Sequence, residues 1–321
     1  MRPLLELERI TVDFELGRRA RLRALDEVTL HVDAGETLGV VGESGCGKST
    51  LGRVVVGLVR PTSGTVTYAG TRIDCLPPRE FRRWRKHLQI VFQDPFTSLD
   101  PRMTIAASVG EPLGSFGSGE NAAAIEERTV AILERVGLGP SLLGRYPHEL
   151  SGGQCQRAAI ARALILQPDL VVCDEPVSAL DVSVQAQIVR LLAELKTEFD
   201  LSLMFISHNL AVVRLLSERV LVLYLGRRME LAPRERLFTR PLHPYTRALL
   251  ASVPVADPAV ERARERPNIG GELPSPLSPP SGCVFRTRCP LAIDRCARER
   301  PRLEEVEPGH WVACHRWAEA P

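Results

Sequence analysis

The chain has 321 residues, which is enough for one large domain or two moderate ones with buried cores. Its hydrophobic content of 44% and charged content of 25% are ordinary for a soluble globular protein, and a net charge of +2 excludes a general polyanion-binding surface. No apolar run approaches the roughly 20 residues that span a bilayer, and the first residues lack the apolar core of a signal peptide. We therefore expect a cytosolic protein that meets a membrane only through partners.

The first informative segment is a glycine loop between a predicted strand and a predicted helix. Alternating apolar residues predict strands over residues 4–14 and 28–32, and residues 37–41 form a short apolar strand. The helix is predicted over residues 50–59. Between them lies a complete Walker A sequence, made of Gly42, Glu43, Ser44, Gly45, Cys46, Gly47, Lys48 and Ser49 and continuing into Thr50. Successive amides of such a loop wrap phosphates, Lys48 supplies a positive charge and Ser49 offers a hydroxyl to Mg²⁺.

The next part of the chain is less distinctive. Residues 18–23 are predicted as a basic turn, and a strand pair is predicted around Gly70. The basic helix predicted over residues 79–87 is interpreted as a solvated face, so we expect no nucleic-acid partner. Residues 95–119 are rich in Pro, Gly and Ser, which predicts irregular connections, and a helix is predicted over residues 122–136.

A second buried strand, over residues 170–173, ends in two carboxylates. Acids at the carboxyl end of such a strand face the crevice in which α/β sheets bind ligands. This is the Walker B pattern, in which Asp174 would hold Mg²⁺ and Glu175 would polarise the attacking water. A helix over residues 182–198, a strand over residues 203–206 and a hairpin turning near Gly226 are predicted after it.

A serine and two glycines open the helix that precedes this strand. The segment Ser151, Gly152, Gly153 and Gln154 leads into a helix predicted to end at Gln167. The amides of a helix start suit a phosphate, whereas Ser-Gly-Gly alone also fits a flexible loop. Beside a Walker A loop, this segment resembles the signature of ATP-binding-cassette ATPases.

That resemblance implies further roles. Gln93 resembles the glutamine that reaches the metal and the attacking water, so Mg²⁺ would be held by Ser49, Gln93 and Asp174. Asp181 matches the loop that crosses between paired ATPase domains, and His208 matches the histidine that contacts the γ-phosphate. Each ATP would lie between two chains. Members of the family usually stack the adenine ring on an aromatic residue. In this sequence, the candidates for that contact are Phe14 and an arginine of residues 18–23.

The tail resembles the ATPase subunits of oligopeptide and dipeptide importers, closest to the F-type subunit of the oligopeptide permease. The resemblance rests on His243-Pro244-Tyr245 and on residues 271–276 and 282–290. It implies an α/β P-loop domain over residues 1–240, with a RecA-like core, an antiparallel β subdomain and a helical subdomain over about residues 95–165. A small accessory region would occupy residues 241–321.

The implied function is that of a translocase, in which ATP hydrolysis powers peptide import. The implied partners are a related second ATPase subunit, two integral membrane permease subunits and, indirectly, an extracytoplasmic peptide-binding protein. The chain would then be peripheral, at the cytoplasmic face of the cell membrane. Two alternatives stay open, namely import of nickel or another small solute, and a soluble cassette ATPase without a transport role.

Four of the eight cysteines crowd the last 39 residues, at Cys283, Cys289, Cys296 and Cys314. Structural disulfides are not expected in a reducing compartment. The spacing fits neither a zinc ribbon nor a ferredoxin motif. Relatives of the resembled subunit carry a [4Fe–4S] cluster in this region, so we expect one here, with free or structural thiols and zinc as the alternatives.

Overall fold

A mainly parallel eight-stranded sheet is the centre of the computed structural model, which describes residues 2–17, 20–117, 119–253 and 270–319. In chain order the strands are β1 (Leu5–Leu16), β2 (Ala20–Val32), β3 (Thr37–Val41), β4 (Ser63–Tyr68), β5 (Thr71–Arg72), β6 (Leu88–Val91), β7 (Leu170–Asp174), β8 (Ser202–Ile206), β9 (Arg219–Tyr224), β10 (Arg227–Pro233), β11 (Glu304–Glu307) and β12 (His310–Val312). The order across the main sheet is β11-β12-β10-β9-β3-β8-β7-β6.

The five strands β9, β3, β8, β7 and β6 run parallel. Every residue of β3, β7 and β8 is buried, as expected for strands covered on both faces. Their carboxyl ends therefore meet at one edge of the sheet, where the glycine loop and the paired carboxylates follow. The remaining strands, β10, β12 and β11, are added antiparallel.

A second, antiparallel sheet of order β2-β1-β4-β5 packs beside the first. The predicted strands at the amino terminus are thus confirmed, but β2 starts at Ala20, so the basic turn predicted over residues 18–23 is wrong for residues 20–23. Arg21 and Arg23 lie on this strand and both pair with Asp13 of β1, which stabilises extended backbone there. Residues 18 and 19 lie outside the described residues.

The helices lie around the main sheet and in the block between β6 and β7. They are α1 (Lys48–Val55), α2 (Pro78–Arg85), α3 (Pro95–Ser98), α4 (Ile105–Ser115), α5 (Ala122–Arg135), α6 (Gly152–Leu164), α7 (Val182–Phe199), α8 (Leu210–Leu216), α9 (Arg234–Thr239), α10 (Pro244–Ala251) and α11 (Asp294–Arg298). Within the described part of the chain, no helix combines the length and apolar character needed to cross a membrane.

The prediction of irregular connections over residues 95–119 is wrong, because this stretch contains α3 and α4. Ile105, Val109 and Leu113 are fully buried at four-residue spacing, so they form one apolar face. The Thr104 side chain caps the start of α4 by accepting a hydrogen bond from the Ala107 amide. Burial of this face outweighs the low helix propensity of the Gly, Ser and Pro residues around it.

The C-terminal region is attached to the sheet through a buried carboxylate. Glu230 of β10 is fully buried and accepts hydrogen bonds from the backbone amides of Leu242 and His243, at 2.7 and 3.0 Å. The His310 ring of β12 lies 2.7 Å from the same carboxylate. Beside this contact, β12 pairs with β10. The tail strands therefore continue the main sheet instead of forming a separate layer.

His243 predicts a pH dependence of stability. Its Nδ1 accepts a hydrogen bond from the Tyr245 amide at the start of α10, and burial lowers its pKa from 6.5 to about 4. Between pH 4 and pH 6.5, His243 is therefore more fully protonated in the unfolded chain than in the folded one. The free energy of unfolding should therefore decrease as the pH falls from 6.5 towards 4, by up to about 3 kcal/mol.

Urea denaturation at a series of pH values measures this decrease. His243→Asn serves as the comparison, because asparagine keeps an acceptor at the helix start but does not titrate. The variant should lose this part of the pH dependence. Identical pH profiles for the two proteins would contradict the assignment to His243.

Candidate nucleotide site

The glycine loop of residues 42–49 follows β3 at the carboxyl edge of the main sheet, and its last two residues begin α1. Gly42, Gly45 and Gly47 all have positive φ, with 104° at Gly47, the residue before α1. A Cβ at Gly42 would lie 2.2 Å from the Leu223 carbonyl oxygen, and one at Gly47 would lie 2.4 Å from that of Ala24. Only glycine fits these two positions, so the loop keeps a concave row of amides open to a ligand.

Lys48 is buried and points back over this loop. Its ammonium donates to the carbonyl oxygens of Gly42 and Glu43, at 2.8 and 3.1 Å. It also lies 3.8 Å from the Glu175 carboxylate. The Lys48 ammonium is thus held inside the concave loop by oxygen acceptors, and a phosphate oxygen could take their place.

Ser49 and Asp174 meet although 125 residues separate them. The Ser49 hydroxyl donates to Asp174 Oδ1 at 2.9 Å. The pKa of Asp174 is raised above its usual value, mainly by burial and also by the neighbouring Glu175. The hydrogen bond from Ser49 and the charge of Arg53 oppose this rise without cancelling it. A bound divalent cation would favour the ionised carboxylate, and a hydroxyl with a carboxylate is a donor set that suits Mg²⁺.

Glu175 is the point at which the candidate catalytic side chains converge. Its Oε2 accepts a hydrogen bond from Gln93 Nε2 at 3.3 Å and lies 3.0 Å from His208 Nδ1. Gln93, Glu175 and His208 follow β6, β7 and β8, respectively, so the parallel strands bring them together. Glu175 also has a φ of 49°, a conformation that is uncommon for a non-glycine residue and recurs at functional sites.

The signature segment begins α6 with a capping box. Ser151 Oγ accepts from the Gln154 amide, and Gln154 Oε1 accepts from the Ser151 amide at 2.9 Å. Ser151 is exposed. Among the described residues, no hydrogen bond or ion pair joins this segment to the loop of residues 42–49. The two predicted phosphate-binding segments are therefore not bonded directly to each other within one chain.

The segment before α7 packs under the signature. Asp181 lies at the amino end of α7, where its carbonyl accepts from the Gln185 amide. A Cβ at Gly153 would lie 2.6 Å from the Val184 side chain, and one at Gly152 would lie 3.4 Å from that of Leu180. The glycines therefore permit close packing of α6 on this segment and on the first turn of α7.

The adenine position has two candidates from the sequence. The Phe14 ring, on β1, is 38% exposed and thus available for stacking. Arg21 and Arg23 are both paired with Asp13. Of the described candidates, Phe14 is thus an exposed ring, whereas the two arginines are engaged in ion pairs.

Two residues of the C-terminal region reach the glycine loop, which the sequence did not predict. The Tyr245 hydroxyl accepts a hydrogen bond from the Glu43 amide at 2.9 Å. The Arg288 guanidinium donates to both carboxylate oxygens of Glu43, at 3.0 and 2.8 Å. Their separations of 202 and 245 residues leave no local signal in the sequence from which these contacts could be found.

The four cysteines of the tail are free thiols that are at least partly buried. The Cys283 amide donates to the Cys296 carbonyl at 2.8 Å, which joins two of the segments that carry them. Burial raises the pKa of Cys314 to about 12, and the other three thiols contribute to this rise, so the four lie near one another. Among the described residues, no group of three or more His, Cys, Asp or Glu side chains is placed to hold a metal ion.

Comparison with known proteins agrees with this geometry. A family described as "ABC transporter" matches residues 25–178, and one described as "Oligopeptide/dipeptide transporter, C-terminal region" matches residues 229–296. The chain is 53% identical to the oligopeptide transport ATP-binding protein OppF of Escherichia coli, over 94% of this chain and 92% of the relative. It is 52% identical to OppF of Salmonella typhimurium over the same shares.

The fold also matches a solved ATP-binding cassette. The dimeric structure of the cassette MJ0796 in a post-hydrolysis state bound to ADP and Pi has 30% sequence identity and a TM-score of 0.67. The match covers 72% of this chain and 98% of that one. The nucleotide loop, the paired carboxylates, the signature helix and the C-terminal region thus occur together in one chain. The chain belongs to the ATP-binding subunits of ABC transporters, in the group that carries the oligopeptide/dipeptide transporter C-terminal region.

Proposed function

We propose that this chain hydrolyses ATP to drive the import of di- and oligopeptides through membrane-embedded partner subunits. The observation that carries the peptide assignment is the C-terminal region of residues 229–296, together with near full-length similarity to oligopeptide transport ATP-binding proteins. The ATPase chemistry is that of the family. In this proposal the domain boundary lies near residue 240, and the helical subdomain of about residues 95–165 provides the docking surface for the permease.

The site residues divide the chemistry among them. The amides of residues 42–50 bind the phosphates, and Lys48 balances the charge of the β- and γ-phosphates. Ser49, Asp174 and Gln93 would hold Mg²⁺, which neutralises phosphate charge when bound. Glu175 orients the attacking water and accepts its proton, and His208 contacts the γ-phosphate and Glu175 together.

A complete site requires two chains. The signature of residues 151–154, in which Ser151 is exposed, and the loop at Asp181 would complete the site of a partner chain, as the family resemblance implies. Among the described residues, no hydrogen bond or ion pair joins them to the loop of residues 42–49 in their own chain. The dimeric ATP-binding cassette MJ0796 supports a paired arrangement for the fold. We propose a related second ATPase subunit as this partner, two permease subunits in the membrane and an extracytoplasmic peptide-binding protein that acts through them. The chain then lies at the cytoplasmic face of the membrane.

Removal of this subunit tests the substrate class. Cells that lack it should lose uptake of labelled di- to oligopeptides, whereas uptake of free amino acids should be unchanged. Expression of the wild-type chain should restore peptide uptake, and expression of Lys48→Ala should not. Loss of nickel uptake with normal peptide uptake would favour the other importer class, and normal uptake of both would favour a cassette without a transport role.

We also propose that Cys283, Cys289, Cys296 and Cys314 bind a [4Fe–4S] cluster. The donor set supports this, because the four thiols are free, lie near one another and are at least partly buried in a short region with little core of its own. The side chains as they stand do not surround one metal ion. Binding a cluster would therefore require the four thiols to reorient. The cluster would supply cross-links that stabilise the tail.

Anaerobic purification tests the cluster. The protein should be brown, absorb broadly near 400 nm (roughly the thiolate-to-iron region) and contain iron and sulfide in about equal amounts. Cys289→Ser should remove the colour, while Cys75→Ser, which alters an exposed cysteine outside the cluster, should keep it. Stoichiometric zinc without iron would replace the cluster by a structural metal. Metal-free protein with four titratable thiols would refute the proposal.

A further inference from the structure

Glu43, the second residue of the glycine loop, has each of its polar groups engaged. Its carbonyl accepts from the Cys46 amide at 3.2 Å and from Lys48 Nζ at 3.1 Å. Its amide donates to the Tyr245 hydroxyl, and its carboxylate accepts both bonds from Arg288. Two of these three groups are therefore held by the C-terminal region, and the third holds the lysine that faces the phosphates.

Tyr245 is fixed by the packing around it. The side chain is fully buried in α10, and its ring lies 4.7 Å from the Tyr224 ring and 5.3 Å from the Phe285 ring, measured between centroids. Tyr224 belongs to β9, which pairs with β3, the strand that leads into the glycine loop. Burial raises the pKa of Tyr245, so the hydroxyl remains neutral and can accept from an amide. A packed aromatic cluster thus sets the position of this acceptor.

Arg288 is fixed in a similar way. Its side chain is 12% exposed, and its guanidinium also donates to the Tyr224 hydroxyl at 3.3 Å. Burial opposes the charged form, but the bonds to Glu43 and Tyr224 more than compensate and raise the pKa of Arg288. The Glu43 side chain is 26% exposed, so the pair is shielded from water more than a surface ion pair is.

We propose that Tyr245 and Arg288 are positioning residues for the nucleotide site, through which the C-terminal region sets the affinity for nucleotide. Tyr245 holds the Gly42–Glu43 peptide unit, whose carbonyl accepts from Lys48 Nζ at 2.8 Å, and Arg288 holds the Glu43 side chain beside it. Without them, this segment loses the contacts with the C-terminal region that fix its orientation, and the amides of the loop must be ordered further when the phosphates bind, which weakens binding. This inference rests on the proposed assignment of residues 42–49 to phosphate binding.

Nucleotide titration of the full chain tests the inference. We expect Arg288→Gln to raise the Kd for Mg-ADP about tenfold, because it removes a charged pair that orders the loop. We expect Tyr245→Phe, which removes only the hydroxyl, to raise it about fivefold. In the transporter assembled with its permease, the KM for ATP should rise similarly in both variants, while kcat at saturating ATP stays within about twofold of wild type.

Arg286→Gln is the matched control. This arginine lies two positions from Arg288, and its guanidinium bonds to the carbonyl and hydroxyl of Ser281 but not to the glycine loop. It should leave the Kd unchanged. Arg288→Lys keeps the charge and should recover part of the affinity that Arg288→Gln loses.

Thermal unfolding separates positioning from a purely structural role. If the two residues only stabilise the fold, their variants should have a lower Tm without nucleotide but an unchanged Kd, and this outcome would overturn the proposal. Lys48→Ala should abolish binding whatever the tail does. Normal binding by Lys48→Ala would instead refute the site assignment itself, so the two failures can be distinguished.

Discussion

Replacing Glu175 by glutamine is expected to slow ATP hydrolysis by about two to four orders of magnitude while ATP binding is retained. Glu175 contacts Gln93 and His208 and lies near Lys48, so we expect it to be the carboxylate that meets the attacking water. Glutamine has nearly the same shape but cannot accept the proton of that water. The phosphate contacts of the glycine loop do not depend on the substitution. Steady-state phosphate release from the assembled transporter and nucleotide titration of the full chain measure the two effects separately.

Glu194→Gln is the control for this experiment. Glu194 lies on α7, its side chain is 59% exposed, and within the described part of the chain it pairs with Arg190 alone, on the same helix surface. The same change of carboxylate to amide should leave turnover unaltered there. Turnover of Glu175→Gln within about tenfold of wild type would exclude Glu175 as the general base.

Replacing Glu230 by alanine is expected to reduce the free energy of unfolding by about 3–5 kcal/mol. The carboxylate is fully buried and bonds to the amides of Leu242 and His243 and to the His310 ring. Its removal leaves these buried donors without an acceptor and opens a cavity between β10 and β12. Because a domain is typically stable by only about 5–15 kcal/mol, urea denaturation should show a large shift of the midpoint.

Two further variants define the origin of this loss. Glu230→Gln keeps the volume and one acceptor oxygen, so its loss should be smaller than that of Glu230→Ala. Glu194→Ala, at the exposed position on α7, should change the free energy of unfolding by less than about 0.5 kcal/mol. A loss below about 1 kcal/mol for Glu230→Ala would mean that the tail is not held through this carboxylate.

The convergence of the candidate site residues was largely predictable from the sequence, because these residues lie in one local segment or follow strands. The glycine loop is one uninterrupted segment, and the glycines that it requires can be identified directly in the sequence. Gln93, Glu175 and His208 are far apart in the chain, but each comes directly after an apolar strand of a parallel sheet. Parallel strands place their carboxyl ends at the same edge of the sheet, so the sequence alone leads us to expect that these three side chains converge.

The remaining features depend on packing that the sequence does not display. Helix α4 lies in a stretch whose Gly, Ser and Pro content favours irregular structure, and it is the burial of Ile105, Val109 and Leu113 that chiefly stabilises it as a helix. The contacts of Tyr245 and Arg288 with Glu43 form after the chain has closed loops of about 200 residues or more. Neither the type of these residues nor their spacing in the sequence predicts that such a contact forms.

The tail strand β11 also determines whether a strand of another chain can pair with this edge of the main sheet. Because β12 covers β10, the outermost strand on this side is β11, which has only four residues, three of them glutamates. Glu307 is paired with Arg236 and Arg240, and Glu305 accepts from the Gly309 amide, so both are turned to local contacts. An edge strand this short, with its glutamates engaged in local contacts, presents few free backbone groups to another chain, so it disfavours strand-to-strand aggregation.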